Sequence, residues 1–392
     1  MIFQWGLLLW TFVRGDNTPT TFPIQRVLDK WHPNQKHKAN IRYGKRHVSI
    51  SRKQKISKEL ENYWNYVWLC QVELGNKQQL NLNLDTGSSD TWVRGWKCQS
   101  KDTSCIGTQL KRDNSLNATG LKWGISYGDK SSASGEIYIT PVSIGNATSL
   151  IPIGIADNEF GMDDGVSDGI LGLGNNPLSM ISPVVQKSAS YFDGLGYKGD
   201  MNRFAFYLSN AEDGDFGEVT IGGINERKFQ GPIHYFPINH IGYWQFDISN
   251  MTFNVKGQKG QVPIAGQNNA ISDTGTSFIL LDSIIAKSIN RLIGGTETEK
   301  DSGFYTVNCN VAQTGPLVDF IINGIVFSIP ATVYVVARGD GLCYSGFAAK
   351  EDEETPVVLG DVFTRAYYTI YDKEHQRIGF ASSVHQPVHY RR

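Results

Sequence analysis

Two copies of one short acidic motif stand 188 residues apart in this chain of 392 residues. The copies are Asp85-Thr86-Gly87-Ser88-Ser89 and Asp273-Thr274-Gly275-Thr276-Ser277. Two carboxyl groups held side by side cannot both ionise cheaply, so the pair keeps one proton over a range of acidic pH. The ionised member can accept a proton from water while the protonated member donates to a carbonyl oxygen. The repeat therefore predicts hydrolysis of a stable bond, such as a peptide bond, without a metal or a cofactor.

The residues that follow each aspartate suit the support of a carboxylate. A glycine two positions on allows a sharp turn and lets backbone N–H groups approach the acid, which favours its ionised form. A hydroxyl residue three positions on can reach the outer carboxylate oxygen. We expect the intervening threonine to fix each loop. The predicted supporting residues are Thr86, Gly87, Ser88, Thr274, Gly275 and Thr276.

A second pair of matching segments indicates that the chain is an internal duplication. Ile170-Leu171-Gly172 and Val358-Leu359-Gly360 each end 87 residues after the aspartate of their own half. With these segments the chain resembles the pepsin-type, two-lobed aspartic endopeptidases from about residue 66 to about residue 381. The resemblance also rests on Trp92, Ile125-Ser126-Tyr127-Gly128-Asp129, Asp168-Gly169-Ile170-Leu171-Gly172-Leu173-Gly174, Gly242-Tyr243-Trp244 and Leu359-Gly360-Asp361-Val362-Phe363.

The residue patterns favour an all-β chain. Leu80-Asn81-Leu82-Asn83-Leu84 alternates apolar and polar residues directly before Asp85, which is typical of a half-buried strand. The resemblance implies a two-lobed acid-protease fold with a pseudo-twofold duplication and a few short helices. We expect one helix after the second motif, with Asp282 as its N-cap and Gly294 as its end. Its predicted apolar face is Leu281, Ile284, Ile285, Ile289, Leu292 and Ile293.

The resemblance also implies a β-hairpin flap over the substrate cleft. Tyr127 matches the family's flap tyrosine, is followed by Gly128, and is expected to contact the indole N–H of Trp92. The alternative is that Tyr127 is an ordinary half-buried strand residue. Asp129 stands where animal pepsins carry Thr, and it resembles fungal enzymes at this point. It is expected either to pair with a lysine of the substrate or to be a solvated turn residue.

Charge and length divide the chain further. Residues 14–58 carry twelve Lys or Arg and two Asp, a net +10, whereas residues 59–392 are net −11. We interpret residues 1–16 as a signal-like apolar segment, 17–58 as a basic propeptide that inhibits its own enzyme, 59–244 as the N-terminal lobe and 245–392 as the C-terminal lobe. Charge alone leaves open a basic tail that binds nucleic acid or a membrane. The resemblance implies a similar basic prosegment that lies over the cleft, so the position of this segment favours the propeptide, with no nucleic-acid partner.

Cysteines and glycosylation motifs are typical of an exported protein. The resemblance implies two disulfides, Cys98–Cys105 and Cys309–Cys343, which leaves Cys70 as a buried hydrophobic residue. No apolar tail follows Phe380 that would predict a membrane anchor. We expect a monomer that acts on polypeptides, either extracellular or vacuolar and lysosomal, and that prefers large hydrophobic residues at the cut. The glycosylation candidates are Asn117, Asn146 and Asn250.

Other functions find less support. A catalytically silent relative that serves as a secreted binding or inhibitor protein is the main alternative, because a fold does not guarantee an activity. The sequence around Ser167 matches a serine-hydrolase elbow, but no apolar strand precedes it and no helix is expected after it. Asp90 and Thr91 replace the Asn and Leu that are frequent after the first motif in this family.

Overall fold

The computed structural model describes residues 55–63, 65–99, 105–162, 164–210, 216–248, 252–255, 262–263, 268–337, 342–351 and 354–385. These residues form many short strands and six short α-helices. The predicted all-β, two-lobed acid-protease fold is confirmed. The apolar segment 1–16, most of the basic segment 17–58 and Asn250 lie outside the described residues.

The strands carry labels in chain order. The first thirteen are β1 (Ile56–Tyr63), β2 (Val67–Leu74), β3 (Gln78–Asp85), β4 (Trp92–Gln99), β5 (Asn117–Ser126), β6 (Ser132–Ile144), β7 (Ala147–Phe160), β8 (Gly169–Gly172), β9 (Arg203–Tyr207), β10 (Gly217–Ile221), β11 (Phe229–Pro237), β12 (Gln245–Asp247) and β13 (Thr252–Val255). The others are β14 (Val262–Pro263), β15 (Asn269–Ser272), β16 (Ile279–Leu281), β17 (Thr296–Glu297), β18 (Tyr305–Val307), β19 (Val318–Ile322), β20 (Ile325–Ile329), β21 (Val335–Ala337), β22 (Cys343–Ser345), β23 (Phe347–Ala349), β24 (Val357–Leu359), β25 (Tyr367–Asp372) and β26 (Arg377–Ser383).

The helices are short and lie between strands. They are α1 (Ile181–Val185), α2 (Tyr191–Gly194), α3 (Ser283–Ile293), α4 (Val311–Thr314), α5 (Ala331–Tyr334) and α6 (Asp361–Ala366). The part of the chain that the structure describes also contains three single turns of 3-10 helix, at Asn176–Leu178, Gly199–Met201 and Glu226–Lys228. Within the described ranges, no helix is long and apolar enough to span a bilayer.

The two halves build the loops that follow β3 and β15 in the same way. In the first half β3 runs parallel to β8, with Asp85 beside Gly172, and β4 pairs antiparallel with β8. In the second half β15 runs parallel to β24, with Ser272 beside Leu359, and β16 pairs antiparallel with β24. In each half the acidic loop follows a strand that pairs in parallel with a second strand, and a third strand pairs antiparallel with that second strand. The duplication in the sequence is therefore a duplication of this three-strand unit.

The halves are joined by a long sheet. Its thirteen strands lie in the order β11-β26-β25-β9-β10-β1-β2-β3-β8-β4-β7-β6-β5. Strand β25 pairs with β9 of the first half, where Ile370 stands opposite Ala205, and β26 pairs with β25 on its other side. Sheets of five, four and four strands complete the second half. The alternation before Asp85 is borne out, since Leu80, Leu82 and Leu84 are at most 2% exposed.

Helix α3 lies where the sequence predicts it, but two residues predicted for its buried face are exposed. Gly294 ends the helix in the left-handed conformation at φ 82°, which glycine adopts without a steric penalty. Ile285, Ile289 and Ile293 form the buried face at four-residue spacing. Ile284 is 77% exposed and Leu292 is 36% exposed, so the apolar face is narrower than the sequence predicts.

The side chain of Asp282, the predicted N-cap of α3, does not cap the helix. Asp282 occupies the N-cap position, and its backbone oxygen accepts hydrogen bonds from the first turn. Its carboxylate makes no capping bond and instead pairs with the buried ammonium of Lys350 at 2.7 Å. The helix start is therefore tied to the loop after β23, because a buried lysine requires a partner charge.

Candidate active site

The ends of β3 and β15 place Asp85 and Asp273 against each other. The two residues are 5% and 7% exposed, and each acid lies against the glycine of the opposite loop. A β-carbon added to Gly87 would lie 2.5 Å from the carboxyl carbon of Asp273. One added to Gly275 would lie 2.5 Å from Oδ1 of Asp85. Each glycine therefore makes room for the acid of the opposite loop.

Both carboxyl groups receive the same two kinds of hydrogen bond. Gly87 N–H donates to Oδ1 of Asp85 at 2.7 Å, and the Ser88 hydroxyl donates to its Oδ2. In the other loop Gly275 N–H donates to Oδ1 of Asp273 at 2.8 Å, and the hydroxyl of Thr276 donates to its Oδ2 at 2.7 Å. The supporting residues proposed from the sequence thus surround the acids, and each acid is fixed in one orientation.

Two threonines interlock the loops beneath the acids. Thr86 N–H donates to Oγ1 of Thr274 at 3.1 Å, and Thr274 N–H donates to Oγ1 of Thr86 at 3.0 Å. The hydroxyl of Thr86 donates to Ser272 O at 3.0 Å, and that of Thr274 donates to Leu84 O at 2.5 Å. All the backbone donors and hydroxyl groups involved are buried, so water cannot replace these bonds. The interlock fixes the separation of the two acids.

The electrostatics of the pair favour a shared proton. Burial, the largest cause, and the charge of Asp273 together raise the pKa of Asp85 to about 8. Hydrogen bonds from Ser88 and Gly87 act in the opposite direction, because they stabilise the carboxylate. The raised pKa means that the pair holds one proton well above the range of an ordinary carboxyl group. Such a pair can act as an acid and as a base at once.

A β-hairpin made by β5 and β6 carries Tyr127 at its tip. Tyr127 N–H donates to Ser131 O at 2.9 Å, which closes the turn. The indole N–H of Trp92 donates to the hydroxyl of Tyr127 at 2.7 Å, as expected from the resemblance. Burial, and next the charge of Asp85, raise the pKa of the Tyr127 hydroxyl. The charge of Asp85 therefore acts on the hydroxyl group of the flap tyrosine candidate.

Gly128, which is half-buried, and Asp129, which is exposed, belong to the same turn. The Asp129 carboxylate accepts hydrogen bonds from the backbone N–H of Ser131 at 2.9 Å and from its hydroxyl at 2.6 Å, both through Oδ1. This arrangement is an Asx turn, which stabilises the tip of the hairpin. The other oxygen, Oδ2, makes no hydrogen bond to the described residues, so both of the roles expected for Asp129 are compatible with the geometry.

The structure contains both disulfides that the resemblance implies, Cys98–Cys105 and Cys309–Cys343. Cys70 is free and fully buried in β2, and burial raises the pKa of its thiol to about 12. It is therefore an inert core residue. Of the glycosylation candidates that the structure describes, Asn117 and Asn146 are exposed.

One group of potential metal ligands occurs in the described ranges, and it belongs to a disulfide. Cys98, Cys105 and Glu159 lie within 4.8 Å of one another, but both sulfur atoms are bonded together. The carboxylate of Glu159 is occupied by the guanidinium of Arg94 at 3.0 Å and by the backbone N–H of Cys105 at 3.1 Å. This cluster fastens a loop and offers no free ligand set.

Two residues near the acids have no assigned role in the sequence prediction. The hydroxyl of Tyr371, from β25, lies 2.8 Å from Ser272 Oγ and 3.4 Å from Thr86 Oγ1. Asp361 begins α6 and is 2% exposed; burial and then the charge of Asp273 raise its pKa, while Arg365 acts in the opposite direction. The sequence does contain a signal for Asp361. The duplication aligns this position with the apolar Leu173 of the first half, so an acid here departs from the repeat. No comparable signal marks Tyr371.

The fold and this site together define a class of protein, namely one with two related halves that each deliver an Asp-Thr-Gly loop to a single buried carboxyl pair. Comparison with known proteins agrees. The family model described as eukaryotic aspartyl protease matches residues 67–383, and the chain belongs to that family.

Similar proteins come from fungi and from animals. The chain is 31% identical to rhizopuspepsin-1 of Rhizopus niveus over 353 residues, which is 87% of this chain and 86% of the relative. It is 30% identical to embryonic pepsinogen of Gallus gallus over 339 residues, with 84% of each chain covered. It is 32% identical to rhizopuspepsin of Rhizopus chinensis over 327 residues, which is 80% of this chain and 78% of the relative.

Proposed function

We propose that this protein is an aspartic endopeptidase that hydrolyses peptide bonds at acidic pH, with Asp85 and Asp273 as its catalytic residues. The observation that carries the proposal is the carboxyl pair, in which each acid is fixed by a glycine N–H and a hydroxyl and each fills the space left by the glycine of the other loop. Family membership supports the same reaction.

The proposed reaction is general acid–base hydrolysis. A water molecule between the acids loses a proton to the ionised carboxylate as it attacks the scissile carbonyl carbon. The protonated carboxyl donates a hydrogen bond to the carbonyl oxygen and stabilises the charge that develops there. The proton then passes to the leaving amine as the C–N bond breaks. Asp85 and Asp273 titrate as a pair, so the proton belongs to both.

The surroundings of the flap support a preference for large hydrophobic residues at the cut. Tyr127 packs against a buried apolar cluster that contains Trp92, Trp123 and Ile181. Partly buried apolar side chains pack against the same cluster. An extended peptide between the flap and the acids would place alternate side chains against this surface. The partly buried residues that pack against the cluster beside Tyr127 are Met162, Ile170, Met180 and Val185.

The remaining parts of the proposal concern maturation and location. We propose a zymogen in which the basic segment 17–58 covers the acidic body and detaches in acid, when carboxylates lose their charge. Similarity to an embryonic pepsinogen supports a zymogen. The two disulfides and the exposed sequons support passage through the secretory pathway, to the outside or to a vacuole or lysosome.

The decisive experiment is incubation of the purified full chain at pH 3.5 with a denatured protein substrate, with and without a statine-containing peptide that mimics the transition state. We expect cleavage that the statine peptide blocks. Asp85→Asn and Asp273→Asn should each lower kcat by roughly a thousandfold or more, since neither acid–base partner works alone. Asp301→Asn, an exposed turn residue at φ 59°, is the matched control and should retain full activity.

Two results would contradict this function. A wild-type chain that folds but cleaves no substrate at acidic pH would favour the silent binding or inhibitor protein. Full activity in Asp85→Asn would show that another group activates the water.

A further inference from the structure

The hydroxyl of Tyr371 contacts a residue beside each of the two acids, and the proposed reaction gives it no role. Tyr371 lies in β25 and is 0% exposed. Its hydroxyl oxygen is 2.8 Å from Oγ of Ser272 and 3.4 Å from Oγ1 of Thr86. Ser272 directly precedes Asp273 in the chain. Thr86 directly follows Asp85. One side chain from a third strand therefore contacts the neighbours of both acids.

The directions of these hydrogen bonds follow from counting donors and acceptors. The Thr86 hydroxyl donates to the backbone oxygen of Ser272 at 3.0 Å, and its oxygen accepts the N–H of Thr274 at 3.0 Å. Thr86 Oγ1 therefore has no second proton to donate, but it can accept one from Tyr371. Every hydroxyl donates once when Ser272 donates to Tyr371 and Tyr371 donates to Thr86. The three side chains of Ser272, Tyr371 and Thr86 thus form one closed hydroxyl network.

The hydroxyl network is shielded from water. Thr86 is 0% exposed and Ser272 is 1% exposed. Burial raises the pKa of the Tyr371 hydroxyl, so this group keeps its proton and remains a donor. A buried hydroxyl that loses its partner costs free energy, because no water replaces the lost bond.

The aromatic ring of Tyr371 is itself held in place. It stacks on Phe204 of β9, with centroids 4.8 Å apart and planes inclined by 13°. It also contacts the edge of Trp244, with centroids 5.1 Å apart. The indole N–H of Trp244 donates to Leu173 O at 2.9 Å, and Leu173 N–H donates to Asp85 O at 2.7 Å. The hydroxyl of Tyr371 is therefore presented to the acidic loops by a fixed ring.

We propose that Tyr371 is a positioning residue for the proposed reaction, and that its hydroxyl holds Ser272 and Thr86 in place relative to each other and so helps to fix the separation of the two acids. The inference rests on the proposed function of the site. The threonine interlock joins the two acidic loops to each other, whereas Tyr371 joins them to β25 of the long sheet.

The kinetics of Tyr371→Phe test this role. The full chain is activated at pH 3.5, and kcat and KM are measured for a hydrophobic peptide, together with Kd for the statine peptide. We expect kcat to fall and Kd to rise, each by roughly fivefold, the effect of losing one hydrogen bond. KM should change less than about twofold, because the loss affects the geometry of the acids in the transition state rather than the binding of substrate.

Tyr367→Phe provides the matched control. Tyr367 lies in the same strand, is also 0% exposed, and its hydroxyl donates to Ser328 O at 3.0 Å. This change also removes one buried hydroxyl, but at a position that contacts neither acidic loop through that hydroxyl. We expect Tyr367→Phe to lower Tm about as much as Tyr371→Phe, with kcat, KM and Kd at wild-type values. A merely structural role for Tyr371 would make the two variants alike.

A double-mutant cycle with Ser272→Ala tests the contact itself. Ser272→Ala removes the other side of the 2.8 Å contact. We expect it to lower kcat by a similar factor. The double variant Ser272→Ala with Tyr371→Phe should have a kcat no lower than that of the less active single variant, because both changes remove the same hydrogen bond. Effects on kcat that multiply would overturn the inference.

The outcomes separate this inference from the proposed function. An active wild type whose kcat and Kd are unchanged by Tyr371→Phe overturns the role of Tyr371 alone. A wild type that neither cleaves peptides nor binds the statine peptide overturns the proposed function and this role with it. If Tyr371→Phe fails to fold, Ser272→Ala is compared with Tyr367→Phe. A lower kcat at unchanged KM in Ser272→Ala alone then supports the inference, and a wild-type kcat overturns it.

Discussion

Thr86 and Thr274 bind each other symmetrically across the two halves of the molecule, each donating its backbone N–H to the side-chain oxygen of the other at 3.0–3.1 Å. The contact joins residues 188 positions apart and lies directly below the carboxyl pair. Because both threonines are buried, water cannot replace this contact, and the contact helps to fix the distance between the acids.

Replacing Thr274 by Val keeps the shape of the side chain and removes its hydroxyl group. The N–H of Thr86 and the backbone oxygen of Leu84 would then lose their partner. We expect the free energy of unfolding to fall by about 2–4 kcal/mol and kcat to fall roughly tenfold, because the acid pair is no longer held rigidly. Urea denaturation and peptide cleavage at pH 3.5 measure the two effects.

Thr296→Val is the control for this change, since Thr296 is exposed in β17. It should change the free energy of unfolding by less than about 0.5 kcal/mol. Equal stability and activity in Thr274→Val and wild type would contradict the role of the interlock.

Gly87→Ala tests the close approach of the two loops. The new methyl group would lie 2.5 Å from the carboxyl carbon of Asp273, so the acid or the loop must shift. A displacement of about 1 Å can cost roughly a hundredfold in kcat, and we expect a loss of that size. Gly124→Ala is the matched control, because its nearest contact would be Ser134 at an ordinary 3.6 Å. Similar kcat values for the two variants would argue against the packing of the acids on the glycines.

The raised pKa of Asp85 predicts how stability depends on pH. A carboxyl group whose pKa is higher in the folded chain stabilises the fold below its unfolded pKa of 3.8, and this contribution is lost as the pH rises through about 8. The wild type should therefore lose stability between pH 4 and pH 8 relative to Asp85→Asn, by on the order of a few kcal/mol. Urea denaturation of both proteins across this range measures the difference. A difference that is independent of pH would contradict the raised pKa.

The two disulfides should contribute unequally. Cys309 and Cys343 are 34 residues apart, whereas Cys98 and Cys105 are separated by 7. Loop-closure entropy gives contributions of about 3.8 and about 2.4 kcal/mol for these spacings. Thermal unfolding of the two double Cys→Ser variants should thus show the lower Tm for the change at 309 and 343. The reverse order would show that the short loop, which Glu159 also holds through Cys105 N–H, depends mainly on its disulfide.

Local features of the site were predictable because they depend on neighbouring residues. A hydroxyl three residues after an acid, a glycine two residues after it and alternating leucines before it act within one turn or one strand. These rules predicted the support of Asp85 and the burial of Leu80, Leu82 and Leu84. They also predicted the position of α3 and its end at Gly294.

Contacts between distant segments were not predictable in the same way. The sequence pattern placed Ile284 on the apolar face of α3, but the sheet beside the helix covers only the stripe of Ile285, Ile289 and Ile293. Asp282 has the right type and position for a cap, yet the nearby ammonium of Lys350 binds its carboxylate. In both cases a tertiary neighbour outweighed a local preference.

The sequence by itself determined that this chain has two equivalent acidic loops, because a duplication is written in residue order and in spacing. Only the tertiary structure decided that Asp90 accepts a hydrogen bond from Met180 N–H and that Tyr371 lies beside Thr86. The physical reason is that such contacts follow from the register and crossing of strands far apart in the chain, and these depend on the packing of the whole core rather than on any one segment.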